Sequence, residues 1–537
     1  MTHCSLRFPM LVAALTVVIQ TAYAQQPQDT VISDTYSNTA SGTGALQSLQ
    51  AGSGTTILGG AAGSANSAFG QYALTDNTTG YGNAGFGSGA LLNNTTGYWN
   101  TGVGENALLS NTTGNRNTAT GTDALSANIT GSNNTATGFN ALFTNTTGAN
   151  NTAVGSSALM FSTTGAGNTA AGANALEENT TGYSNTAAGA IALNANTTGY
   201  GNTAAGYDAL NANTTGYLNT ASGAGSLNSN TTGFGNTASG YGSLANNSTA
   251  NQSTAIGYQA LFNNTTGASN SAVGAGALYA STTGSNNTAF GASALYSNTT
   301  GKGNAAQGAG ALYSNTSGIR NLGIGNNALY GNTTGSYNIA LGVDGGYNIT
   351  TGSYNIEIGA EGSASDNGTI QIGVQGTQTF TTIAGISGTA VSGSPVFVTS
   401  TGQLGTQASS ERFKTDITPM PALSEKLQQL RPVTFHYKTD PKGVRQYGLI
   451  AEEVDKVYPE LVIRDQKGTI QGVHYEELAP MLLNEIQRQQ QKILAQDAKI
   501  QGLEQQVAKV NDLERELNDM HAALIALRSK DQVIAQR

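Results

Sequence analysis

Ser409 and Lys414 stand five residues apart in ASSERFKTDI (408–417), and a serine and a lysine can together cut a peptide bond. A serine hydroxyl is a weak nucleophile until a base takes its proton. A lysine serves as that base once burial or a neighbouring cation populates its neutral amine. Arg412 is close enough in sequence to be that cation. Taken alone, a Ser and a Lys at this distance are ordinary surface residues, so their chemistry depends on what surrounds them. Other reactive groups are scarce. From 25 to 408 there is no His and no Cys, and the acids are scattered singly except for Glu177 and Glu178. Neighbours on a strand point to opposite faces, which makes that pair a poor carboxylate dyad. His436 and His474 lie without metal-ligand spacing in two segments that alternate as strands, and read as structural histidines. No metal, no cofactor and no catalysis outside the 409–414 stretch are expected.

The charge of the chain begins at the same place. Of the 22 Lys and Arg, 18 lie in 409–537, with 19 of the 31 Asp and Glu. Residues 25–408 carry only 3 basic and 12 acidic side chains, a balance that disfavours binding to a phosphate backbone, so nucleic acid is not an expected partner. At the other end, residues 1–24 combine Arg7, the apolar run MLVAALTVVI and Ala22-Tyr23-Ala24, the pattern of a cleavable secretory leader. The run is too short to span a membrane, and no later segment comes close. The expected location is secreted or cell-surface, with no membrane-spanning segment in the mature chain. The one cysteine, Cys4, leaves with the leader, so stability must come from stacking or oligomerisation.

Between these ends runs a period. The glycine closing each TTG-like turn recurs every seventeen residues from Gly80 to Gly352, sixteen periods, with Ala250 in the slot once. NTGVGENALLSNTTGNR (100–116) is a representative unit, and NTASGTGAL (38–46) is a further copy outside the register. A short fixed period means one structural rung per repeat, stacked to make a continuous core. Gly, Asn and Thr every few residues leave no helical apolar pattern, whereas NTAxG supplies a short strand and NTTG a turn. The reading is a mainly β chain whose residues 25–352 form a β-solenoid or β-roll, with Ala and Leu inside and Asn repeated in a hydrogen-bonded ladder. At about 4.8 Å per rung, sixteen periods give a rod of about 80 Å. The NTT triplets also match the glycosylation acceptor pattern, and GFGSGA (85–90) has the glycine density of a phosphate loop without its Lys; both read as turns. Tyr98, Tyr183, Tyr200, Tyr217 and Phe234 share the slot after the turn glycine and form an aromatic row, open to a sugar, a partner protein or another protomer.

Residues 353–408 alternate β-branched residues with Gly and Ser and read as a stem or cap, in which GSPVFVTSTGQLGT forms a hairpin that holds Ser409 at an exposed junction. Residues 409–485 read as a small α/β domain: PVTFHY and GVHY as strands, YGLIAEEVDKVYPELVI as strand into helix. Residues 486–537 carry a coiled-coil seam, with Ile486, Ile493, Ile500 and Val507 seven apart and Leu503 and Val510 on the second line, where Gln489 and Gln496 come earlier. The seam goes on through Leu513, Leu517, Met520, Leu524 and Leu527, and its step 507, 510, 513 is a stammer.

Four blocks in order, SSERFKTDI (409–417), LQQLRPVTFHY (427–437), QYGLIAEEV (446–454) and VHYEELAPMLLNEI (473–486), resemble the endosialidase-type intramolecular chaperone domain, the self-cleaving serine-lysine peptidase at the C-terminus of phage tail fibres and spikes. The resemblance implies Ser409 as nucleophile, Lys414 as general base, scission between Ala408 and Ser409, and a homotrimer. Many members carry Asp directly after the serine; here Ser410 takes that place and is the alternative nucleophile. The NxAxGxxA core of each rung resembles the head repeats of trimeric autotransporter adhesins, with a longer period. Together these imply a secreted trimeric fibre or adhesin with a cell-surface glycan or protein ligand, whose C-terminal domain templates assembly and releases itself. The alternatives are a structural fibre with an uncleaved chaperone-like domain, and a glycan-degrading spike enzyme.

Overall fold

The computed structural model describes residues 32–33, 39–41, 65–384, 395–399, 401–420, 422–465 and 467–534. The leader at 1–24 and most of the repeat copy at 38–46 fall outside these residues. The chain divides into two compact units, 1–389 and 390–537.

The first unit is a β-solenoid. Three-residue strands recur every seventeen residues from Ser67–Phe69 to Ile356–Ile358, eighteen in all, and stack parallel and in register, as in Thr118 against Thr135 and Ala119 against Ala136. Each rung has this one strand; turns make up the rest of the coil. The middle strand residue points inward, so it is Ala or Gly in nearly every rung, and Ala107 and Leu108 of the representative unit close the core from the turn side. Small residues suit a coil this thin, because the opposite wall is only one side chain away.

Two columns of buried asparagine bind rung to rung. Asn94 Nδ2 donates to Asn77 Oδ1 at 2.7 Å, and Asn111 repeats this to Asn94. In the second column the Asn100 backbone N–H donates to Asn83 Oδ1 at 2.9 Å, while Asn100 Nδ2 donates to the Gly114 carbonyl at 2.8 Å. These bonds satisfy amides that are wholly out of water, which is the condition for keeping them there. At Gly104, with φ at 131°, an added Cβ would lie 2.5 Å from the Gly121 carbonyl, so the close stacking itself demands glycine. The sixteen core leucines from Leu74 to Leu329 also hold positive φ, 54° at Leu125. This costs an L-residue about 1 kcal/mol or more. Stacking enforces it, since the Leu125 N–H donates to the Ala141 carbonyl of the next rung at 3.0 Å while its side chain fills the core.

Both ends of the stack depart from seventeen. Thr39–Ser41 pairs parallel with Ser67–Phe69, Thr39 opposite Ser67, so this copy joins the sheet across a step of twenty-eight, and Ile32–Ser33 lies antiparallel to it. At the far end the stack runs past Gly352, where the glycine spacing stops: Ile370–Ile372 pairs parallel with Ile356–Ile358 across a step of fourteen.

In the second unit, Phe397–Val398 and Leu404–Gly405 form a hairpin. A 3-10 turn at Glu411–Phe413 and a 3-10 segment at Ala422–Gln429 follow. The hairpin Val433–Phe435 with Gln446–Gly448 leads into the short helix α1 (Ala451–Val454), and the hairpin Val462–Arg464 with Ile470–Val473 leads into α2 (Tyr475–Ile534). Val454, Tyr458, Leu461, Val462, Val473 and Met481 form a small core, with Met420, Leu427, Leu430 and Leu478 packed around it. α2 is one uninterrupted helix of 60 residues that covers most of the predicted coiled-coil segment.

Candidate functional site at the Ala408–Ser409 junction

Ala408 and Ser409 lie in exposed, irregular chain just after the hairpin that ends at Gly405. The Phe413 N–H donates to the Ser410 carbonyl at 3.0 Å and the Lys414 N–H to the Glu411 carbonyl at 2.9 Å, which turns the chain back on itself. This brings Lys414 Nζ to 3.4 Å from Ser409 Oγ, to which it donates. The spacing of five thus becomes a contact because a 3-10 turn fills the interval. Arg412 does not face the pair closely enough to bond it; its guanidinium lies over the Phe413 ring, 4.6 Å from the centroid. Ser410 is the residue before the turn, and its side chain makes no capping hydrogen bond. Residues 409–419 are all exposed, and Met420 is the first to pack against the core, so the pair rides on an arm anchored there.

Several other titratable groups of this unit pair with each other. His474 Nδ1 lies 2.8 Å from Glu476 Oε1, while His436 is exposed. Glu476 is held below the usual carboxylate range by its own backbone N–H and by His474. Arg431 makes a two-point bond to Glu453, at 3.1 and 2.5 Å, which lowers the Glu453 pKa. No group of three or more His, Cys, Asp and Glu suited to a metal ion occurs among the described residues. No helix among them is long and apolar enough to cross a membrane.

A polar clamp behind the arm escaped the sequence reading. Ser424 Oγ donates to Glu485 Oε2 at 3.3 Å, Asn484 Nδ2 donates to Ser424 Oγ at 2.7 Å, and Arg488 pairs with both Glu485 and Glu425. These bonds fasten Ala422–Gln429 to the start of α2 across sixty residues of sequence. The visible signal was Glu485 and Arg488 one helical turn apart beside an apolar face.

On the solenoid, the aromatic row breaks into separate stacks, with Tyr98 on Tyr81 at 5.0 Å and apart from the rest. Tyr183, Tyr200, Tyr217 and Phe234 stack with centroids 4.8 to 5.0 Å apart. A longer stack, unrecognised in the sequence, runs Phe262, Tyr279, Tyr296, Tyr313, Tyr330 and Tyr347 in the slot after the core leucine. Rings stacked this way cover one another's faces, so each row offers edges and hydroxyls along its length and a free face only at its ends.

Residues 409–463 match the family model described as chaperone of endosialidase. The match begins at Ser409 and takes in the first three of the four sequence blocks. None of the curated proteins and none of the solved structures compared with the chain matches it.

Proposed function

We propose that residues 409–537 act as an intramolecular chaperone that gathers three copies of the chain, and that Ser409 and Lys414 then cut the Ala408–Ser409 bond to release the assembled rod. The observation that carries this reading is the family match that opens on Ser409, in a chain whose Lys414 amine reaches that hydroxyl. In the chemistry, Lys414 takes the hydroxyl proton and Ser409 Oγ attacks the Ala408 carbonyl carbon. The C–N bond breaks, the Ser409 nitrogen receives the proton, and water hydrolyses the resulting ester. This leaves a carboxylate on Ala408 and a free amine on Ser409. Desolvation favours the neutral form of a lysine, so cleavage in this reading follows the covering of the exposed arm by assembly. The need for a chaperone follows from the rod: long parallel stacks have non-local contacts and open edges, and misregister competes with folding. The leader at 1–24 directs export, and the product is an extracellular fibre that binds a protein or glycan partner.

Intact mass of the secreted protein, with N-terminal sequencing of the small fragment, tests the reading. A fragment beginning at Ser409, absent in Ser409→Ala and in Lys414→Ala but present in Ser410→Ala, is expected. Unchanged cleavage in both of the first two variants sinks the mechanism. The full exposure of the arm favours a second reading, a permanent fibre domain, which a single uncut species in the wild type would establish.

A further inference from the structure

One buried carboxyl in the solenoid has no partner. The inward column of strand centres is Ala or Gly from Ala68 to Ala340, and at the next rung it is Glu357, opposite Ala340 on one side and Gln371 on the other. Glu357 is 0 % exposed, and neither of its carboxyl oxygens has a hydrogen-bond partner. The rung before it has been altered to fit it. Gly345 and Gly346 stand where other rungs place Ala and Leu, and at Gly346, with φ at 62°, an added Cβ would lie 2.8 Å from Leu329 Cδ2 and 3.5 Å from Glu357 Cγ. Ile349 occupies the slot of the ladder asparagine, which removes the amide that could have donated to the carboxyl. At Gly362 an added Cβ would lie 3.1 Å from Ile349 Cγ1 and 3.4 Å from the Glu357 carboxyl carbon. The walls are therefore apolar, and an ionised carboxylate inside them is strongly disfavoured.

The chain from 359 to 372 covers this carboxyl, held to the preceding coil by bonds that include the Gly346 N–H to the Ala360 carbonyl at 2.8 Å and the Asn348 N–H to the Glu361 carbonyl at 3.0 Å. Ile370 and Ile372 of its strand are 66 % and 71 % exposed, and its backbone bonds include the Ile356 N–H to the Thr369 carbonyl and the Gly373 N–H to the Ile358 carbonyl, both 2.8 Å. We propose that this terminal coil is a pH-operated clasp on the end of the rod, closed over the protonated Glu357 carboxyl and released when that carboxyl ionises. Release bares the edge of Ile356–Ile358, an unpaired strand able to accept another.

The charges around Glu357 reinforce the device. Asp366, on the clasp, is bonded by the Ser363 N–H at 2.7 Å and by Gln371 at 3.2 Å and repels a second negative charge. Asp344 on the preceding turn is bonded by Asn327, and Glu361 on the clasp by Asn348. No Lys, Arg or His occurs from 322 to 373, so none of the strands and turns packed on Glu357 supplies a countercharge. Burial, helped by Asp366, pushes the carboxyl from its ordinary 4.5 up to about 7. The closed form therefore holds its proton more tightly than the open one. Its stability is complete below about pH 4.5, falls as pH rises to about 7, and is level beyond. Across that window the opening constant rises on the order of a hundredfold.

Amide hydrogen exchange of the full-length protein, corrected for the intrinsic pH dependence, reads this directly. Peptides covering 356–373 are expected to lose protection on the order of a hundredfold between about pH 4.5 and 7 and little more above it, while peptides from the central rungs stay level. Glu357→Gln should abolish the dependence. Glu357→Ala, which restores the residue of the other rungs, should do the same and covers the case in which the amide fails to fold. Protection in the wild type that does not change with pH, or the same dependence in both variants, overturns the proposal.

Discussion

Ser162 and Ser281 interrupt the asparagine of one ladder column between Asn77 and Asn332, and each leaves a gap. With Ser162 in place, Asn145 Oδ1 has no donor and the Ser162 hydroxyl has no partner; Asn264 Oδ1 and Ser281 repeat the fault. Ser253, in the other column, does no such harm, because the Asn270 N–H still reaches its Oγ at 3.3 Å. The difference is reach: one column needs a side-chain donor, the other only an acceptor. Ser162→Asn and Ser281→Asn should each raise stability by about 1 to 2 kcal/mol, and the two should add, being seven rungs apart. Asn111→Ala, which leaves Asn94 Oδ1 without a donor and takes one of the two bonds of Asn128 Nδ2, should cost about 1 to 3 kcal/mol. Denaturant unfolding of the four proteins checks all three. At this scale the inward Ala and Leu and the Asn ladders were legible, because a fixed period displays them in columns. The left-handed leucines were not, since leucine has no local preference for positive φ and only the neighbouring rung imposes it. Glu357 was equally hidden, because a glutamate read singly is expected in water.

Helix α2 shows what a single element leaves unfinished. Sixty residues make it about 90 Å long, and Ile486, Ile493, Ile500, Leu503, Val507 and Val510 are all exposed along it. An apolar stripe at heptad spacing is stable in water only when another stripe covers it, and three copies of α2 would do so. Ile500→Asp with Val507→Asp should reduce a trimer to monomers in analytical ultracentrifugation and abolish release at Ser409. A wild-type protein that sediments as a monomer contradicts the trimer. The polar clamp makes a separate prediction: Glu485→Ala should loosen Ala422–Gln429 from α2 at a cost of about 1 to 3 kcal/mol, seen as faster exchange in that segment. The heptads and the hairpin at 397–405 were readable from local pattern, whereas Val462–Arg464 is a strand at the end of a segment that reads as strand into helix. The clamp was not readable, because its members are sixty residues apart and no local period joins them.

At the scale of the whole rod, each rung bonds only to its neighbours, and every rung presents the same pattern to the next. Removing one complete unit, 168–184, brings Asn151 beneath Asn185 and keeps that ladder continuous, while the other column keeps the gap it already has at Ser162, so the shortened protein should fold and unfold cooperatively with an unchanged circular dichroism shape. Removing only 168–176 sets strand against turn and should abolish that transition. The fold class was evident in the sequence for this reason, since the period carries the architecture. The ends were not: a step of twenty-eight at one and fourteen at the other break the period that made the middle readable.

The in-register stack also bears on how such a chain changes over generations. The gain or loss of one whole seventeen-residue unit would keep Ala on Ala and Asn on Asn. A change in rung number therefore alters the length of the rod without altering the segments at its two ends.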